Sequence, residues 1–143
     1  MDARERVTAA ARSWLCTPFH HEARVKGVKG GVDCAQLLIA VYHEAGQIPE
    51  IQPEHYPHDW HLHRDEEKYL SWVEKFAHQV DVPQPGDVAI FRIGRTWSHA
   101  GIVIEWPMII HAWFATSVEY CDASKEPLRS YARRFYTLDE WRP

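Results

Sequence analysis

The chain has 143 residues, 45% of them hydrophobic, which is enough for one compact core and too few for two domains of ordinary size. A net charge of −4, a pI near 6.2 and scattered Lys and Arg give no basic surface for a polyanion and argue against nucleic acid as a partner. Three cysteines, far apart and without a CxxC, form neither a disulfide framework nor a thiolate zinc site. No apolar leader and no run of membrane-spanning length occurs, so synthesis in the cytoplasm without membrane insertion is expected.

Asp2 followed by Glu5 has the spacing of a helix N-cap and its N3 partner, and Val7, Ala10, Ala11, Trp14 and Leu15 then recur at helical intervals. That helix should end before Pro18. A loop marked by Gly27, Gly30 and Gly31 follows. From Cys34 to Ala45 the chain is apolar on nearly every side, through Leu37, Leu38, Ile39, Ala40 and Val41, and it closes at Gly46, which predicts a buried central helix. Ile48 to His63 lacks any period and reads as a surface loop. Tyr69, Trp72, Val73, Phe76 and Val80 predict a third helix, with Asp65, Glu66 and Glu67 near its positive end.

Pro83-Gln84-Pro85-Gly86-Asp87 divides this helical half from a run of short β-branched or aromatic segments. Strands are predicted over Asp87–Ile93, His99–Glu105, Met108–Phe114, Ser117–Cys121 and Arg134–Leu138. Helices first and consecutive strands afterwards imply one α+β domain over residues 1–143, with helices packed on an antiparallel sheet.

Asp33 is a good N-cap, which would put Cys34 in the first helical turn, where unpaired backbone N–H groups and the positive dipole end favour thiolate. Such a position can lower a cysteine pKa from about 8.5 to ~3.5–7.5, and its N–H groups can hold an oxyanion. A buried cysteine can equally be a small packing residue. Two histidines decide between these readings. His99 opens one apolar strand and His111 lies on the next, and a cysteine nucleophile needs both a base and a polar group to orient that base. They share a sheet face only if directly paired residue numbers sum to an even value. A three-residue connection at Glu105-Trp106-Pro107 gives that sum, whereas a two-residue connection would place them on opposite faces.

Asp33-Cys34 opening an apolar helix, Gln84-Pro85-Gly86-Asp87, Ser98-His99-Ala100-Gly101-Ile102 and Ile110-His111-Ala112, in that order, resemble the NlpC/P60 cysteine peptidases that cut peptidoglycan stem peptides. Trp14 to Ala23 is similar to the corresponding segment in the branch encoded by phages, prophages and gene-transfer agents. The resemblance implies a papain-like α+β fold, with Cys34 as nucleophile, His99 as general base and His111 as its orienting group. It also implies that Phe19, His20, Asp33 and Ser98 lie about the substrate and oxyanion. The implied partners are stem peptides, cut at bonds such as γ-D-glutamyl–diaminopimelate, together with phage-tail proteins; no cofactor is implied. Without a leader, such an enzyme would reach the cell wall by delivery in a phage-like particle. Phe19 departs from the family pattern, which places a tyrosine hydroxyl there, and His20 or His21 is the nearest substitute donor.

His55, His58, His61 and His63, with Asp59, Asp65 and Glu66, form a run of potential metal ligands whose spacing matches no closed structural site. The run reads as solvated surface and no metal is assigned. Its alternative is a non-catalytic phage tail-tip part that uses a metal to rigidify this loop. Cys16 and Cys121 read as packing residues, and Trp97, Trp106, Trp113 and Phe114 as core, one or two of them lining the cleft.

Overall fold

A computed structural model describes residues 1–52 and 68–143, and in them the helices precede the sheet, as the change of period predicts. The elements are α1 (Ala3–Ser13), β1 (Arg24–Val25), β2 (Gly31–Val32), α2 (Cys34–Glu44), α3 (Lys68–Glu74), β3 (Ala77–Val80), β4 (Val88–Ile93), β5 (Thr96–Glu105), β6 (Met108–Ala112), β7 (Val118–Asp122) and β8 (Arg133–Leu138). β1 and β2 form a small antiparallel pair, and the other strands form one antiparallel sheet in the order β3-β8-β4-β5-β6-β7.

Both predicted caps are present. The Glu5 N–H donates to Asp2 Oδ1 at 2.8 Å, and the Gln36 N–H donates to Asp33 Oδ1 at 2.9 Å, so each helix starts where a carboxylate satisfies an otherwise orphaned amide. α1 buries Val7 and Ala11, and α2 buries Leu37 and Val41 completely. Each buried Val or Leu contributes roughly 1.5–3 kcal/mol, which is what holds the helices on the sheet. The Trp14 indole N–H donates to the Glu44 carboxylate at 3.1 Å, tying the end of α1 to the end of α2. The Tyr42 hydroxyl donates to the Gly86 carbonyl, and Asp87 accepts both the Arg4 guanidinium and the Gln84 N–H at 2.8 Å. The Pro85-Gly86-Asp87 turn is thereby pinned from two helices, and α2 is fixed in direction over β5.

The sheet is buried on both faces. Ile90, Ala100, Ile102, Ile110 and Ala112 pack under the helices, while Ala89, Phe91, Val103, Ile109, Ala123 and Leu128 form a second, smaller cluster. Burial on both sides explains why β4, β5 and β6 are nearly continuous apolar runs instead of alternating ones.

Several element bounds differ from expectation. The third helix stops at Glu74, and Ala77–Val80 is a strand paired with β8 from Ala77↔Leu138 to Val80↔Phe135. A ladder to the far end of the chain overrides a local pattern that fits either period. The first helix ends at Ser13. β5 begins at Thr96, three residues early, and β6 ends at Ala112, because the chain turns at Ala115 (φ 63°) and leaves Phe114 exposed. The glycine loop closes on β1 and β2, and at Gly31 a Cβ would lie 2.6 Å from the His20 Cβ, so only glycine lets these backbones approach. The loop over Ile48–His63 is described only to residue 52. The acidic residues before the third helix and the histidine run lie outside the described residues.

Candidate active site

Cys34 begins α2 directly after its cap, and its thiol donates to the Ser98 carbonyl at 3.7 Å. The backbone N–H of Ala100 also reaches the sulfur. The sulfur therefore lies against β5 at the residue before His99 and the residue after it. Burial, and after it the charge of Asp33, push the thiol up to about 12, against the pull of the Tyr69 hydroxyl and of the Ala100 and Ala35 N–H groups. The lowering expected from the helix start is thus reversed. The donors are present, but desolvation outweighs them.

His99 and His111 meet edge to face, with His99 Nε2 and His111 Nδ1 2.8 Å apart. Both are buried, at 6% and 2% exposure. Their meeting depends on register. Gly101↔His111, Ile102↔Ile110 and Val103↔Ile109 all sum to an even value, so the two imidazoles are diagonal neighbours on one face. The route differs from the expected one. Only Trp106 and Pro107 separate the strands, and an irregularity between Val103 and Glu105 adds the residue that restores the even register. Gly101 stands opposite His111, and a Cβ there would lie 2.8 Å from the Ile110 carbonyl oxygen and 3.1 Å from the His111 Cβ.

Burial, and after it the neighbouring His111, hold the His99 pKa well below its usual value, and burial alone brings His111 down to about 4. Both rings are neutral near pH 7. One nitrogen of the 2.8 Å contact donates and the other accepts. If His99 Nε2–H donates, His111 carries its own proton on Nε2, and His99 Nδ1 is the basic nitrogen.

The remaining predicted residues fall into two groups. Ser98 lies against the sulfur through its carbonyl, and its buried hydroxyl has no hydrogen-bond partner among the described residues. Asp33 is 4% exposed and acts as a cap and a brace, since Oδ2 accepts the Glu22 N–H at 2.7 Å while Oδ1 caps α2. Its charge disfavours the thiolate. Phe19 forms a bridge with Val32 and packs its edge on Phe114 at 5.8 Å, as part of an apolar wall. His20 is exposed and its Nδ1 approaches the His21 carbonyl at 3.2 Å, whereas His21 sits 3.9 Å from Asp33 Oδ2. No hydrogen bond ties the His20 ring to Cys34.

Of the four aromatics read as core with one or two lining the cleft, Trp113 is one at the site: it stacks on His111 at 5.4 Å and meets His99 edge-on at 4.9 Å. One residue of the site was missed. Tyr69, read only as an apolar helix position, donates its hydroxyl to the Cys34 carbonyl at 3.1 Å. Helical periodicity records that a side chain is inward, and carries no signal of what its polar tip touches.

The sequence profile of the NlpC/P60 family matches residues 17–136, a span that includes Cys34, the Pro-Gly-Asp turn and both histidines. No curated protein sequence matches the chain. The structure is similar to the NlpC/p60 domain of the peptidoglycan hydrolase SagA, with a TM-score of 0.59 and 15% identity over 92% of this chain and 96% of that one. It is also similar to NlpC1 from Trichomonas vaginalis (TM-score 0.66, 19% identity, 99% of this chain and 45% of that one). A third likeness is to an NlpC/P60 family protein from Bacillus cereus (0.64, 20%, 92% and 39%). The chain thus spans less than half the length of the last two. At these identities the likeness is one of fold, papain-like α+β.

Proposed function

The chain belongs to the NlpC/P60 family, and on that premise we propose that it is a cysteine peptidase hydrolysing amide bonds of peptidoglycan stem peptides, of the γ-D-glutamyl–diaminopimelate type. SagA, which shares the fold, is named a peptidoglycan hydrolase. The observation that carries the reading is the His99 Nε2···His111 Nδ1 contact of 2.8 Å beside a sulfur held against the same strand.

In this reading His99 Nδ1 takes the Cys34 proton as the sulfur attacks the scissile carbonyl carbon. His111 accepts the His99 Nε2–H, holds the ring in that tautomer and shares the charge of the imidazolium. N–H groups at the start of α2 face the oxyanion of the tetrahedral intermediate. The C–N bond breaks, the amine leaves with the proton from His99, and a thioester remains. Water, deprotonated by His99, then cleaves the thioester and returns the thiol.

The apolar pair Phe19–Phe114, and Trp113 beside the imidazoles, are suited to the alkyl parts of a stem peptide. Delivery to the wall in a phage-like particle belongs to the same proposal and rests on the resemblance of Trp14 to Ala23 to the phage-encoded branch. The test is incubation with defined muropeptides and mass spectrometry of the products. Wild type should yield fragments split at an isopeptide or D-amino-acid bond and Cys34→Ala none; equal product from both would end the cysteine-peptidase assignment.

A further inference from the structure

Tyr69 is 2% exposed, and its hydroxyl lies at the nucleophile, 3.1 Å from the Cys34 carbonyl oxygen. It comes from α3, an element separate in sequence from the motifs that carry Cys34, His99 and His111. Phe19, where the family pattern places a tyrosine hydroxyl, has none, and His20 is turned to its own loop. The hydroxyl is hydrogen-bonded to the carbonyl at 3.1 Å and also acts on the sulfur of the same residue, so it can donate to either. The carbonyl is the better acceptor while the sulfur is a thiol, and the sulfur is the better one once it carries charge.

We propose that Tyr69 is the hydroxyl donor of this active site, moving its hydrogen bond from the Cys34 carbonyl to the sulfur as the thiolate forms. The sulfur then keeps a donor at the moment His99 withdraws its proton, when burial penalises its charge most. The hydroxyl's pull on the Cys34 thiol acts in the same direction. No bond is made or broken in this step; a hydrogen bond changes acceptor and the proton stays on the phenol. The proposal rests on Cys34 being the nucleophile and adds to that reading the residue that stabilises it. Among the described residues the other titratable groups of the site are Asp33 at the cap of α2, with His21 3.9 Å from it, and the His99–His111 pair, and all are retained when Tyr69 is replaced.

The test is Tyr69→Phe, which keeps the ring and removes only the hydroxyl. Cys34 alkylation by iodoacetamide, followed by mass spectrometry of the Cys34 peptide so that Cys16 and Cys121 are counted apart, should slow by about tenfold across roughly pH 7–10, the size of one hydrogen bond to a charged group. The melting temperature should stay close to wild type. Muropeptide turnover should fall in kcat by a similar factor with KM within about twofold, because the bond is made to the reacting atom and not to the substrate. An unchanged alkylation rate in a folded Tyr69→Phe would overturn the proposal. Should that variant fail to fold, 3-fluorotyrosine at position 69 decides: its more acidic hydroxyl is a stronger donor, so alkylation should quicken, and no change would overturn the proposal equally. If wild type cleaves no muropeptide yet Tyr69→Phe still slows alkylation, the peptidase reading fails while the role of Tyr69 on the thiol stands.

Discussion

The start of α2 and the β5–β6 ladder are both buried, and they treat charge in opposite ways. Around the Cys34 sulfur the Ala35 and Ala100 N–H groups and the Tyr69 hydroxyl all favour an anion. Around His99 and His111 stand Phe91 and Trp113, whose rings offer an imidazolium no carboxylate. The thiol is pushed up to about 12 and the imidazole held down, each because burial penalises its charged form. A proton moving from sulfur to His99 creates two disfavoured charges in one step. Among the described residues the anion has several donors waiting, whereas the cation has the one hydrogen bond to His111. The resting pair is therefore thiol and neutral imidazole, and in the proposed mechanism the ion pair forms only during reaction.

Removing either reacting group tests that comparison most severely. Cys34→Ala should reduce stem-peptide hydrolysis to background, and His99→Ala should lower kcat/KM by at least the 10²–10⁴-fold typical of a general base, both read by product release. A His99→Ala enzyme with near wild-type turnover would mean that the ladder takes no proton.

Replacing the orienting group should cost less, and by an amount that depends on chemistry. His111→Gln keeps an acceptor for the His99 Nε2–H and should retain more activity than His111→Ala, in which the ring turns freely and about tenfold or more is lost. Equal activity in the two would show that the 2.8 Å contact does not control the tautomer.

pH gives a third measure. A base held below its usual pKa stays neutral at mildly acidic pH, so the acid limb of kcat/KM should lie below 6.5. Stability follows the same sign. The folded pKa of His111, about 4, is below its unfolded value of 6.5, so its contribution is complete above 6.5 and is lost as pH falls through about 4. That loss is of the order of 3 kcal/mol from His111 alone, and denaturant unfolding of His111→Gln should show a correspondingly flatter decline. A wild-type stability that rises between pH 6.5 and 4 would contradict the burial of a neutral pair.

The smallest effect concerns Asp33. Asp33→Asn retains a cap for Gln36 but removes a charge that raises the thiol pKa, so Cys34 alkylation should quicken modestly. The Glu22 N–H loses its anionic partner at a cost of about 1–2 kcal/mol, visible in the melting temperature. Slower alkylation would mean that Asp33 helps the thiolate.

Much of this arrangement was written locally. Asp2 and Asp33 announced their helices, because a cap is decided by three or four adjacent residues. The α+β order followed from the change of period at the Pro-Gly-Asp turn. Pairing across distance was less legible. β3 was hidden inside a pattern that also fits a helix, since only β8 makes it a strand. The even register of β5 and β6 was expected, but from a longer turn instead of an irregular strand. The direction of the Cys34 shift was missed for a similar reason: helix-start amides are visible in sequence, while the depth of burial that overrides them is a property of the packed sheet. Tyr69 was legible as an inward helix position, and only three-dimensional contact shows what its hydroxyl touches.

Gly101 gives the ladder a vulnerability of its own. It bears no functional group, yet the clearance at its Cα sets how closely β5 and β6 can run, with the Ile110 carbonyl oxygen 2.8 Å and the His111 Cβ 3.1 Å from where a methyl would be. Close packing answers such an insertion by shifting neighbours a few tenths of an ångström, and a hydrogen bond between rings weakens steeply once that shift bends its angle. The spacing of the imidazoles is thus gauged by an atom that is missing. A methyl group added there would detune the base without touching it, so an inactive homologue or variant could arise from a change at a residue that no inventory of polar side chains would include.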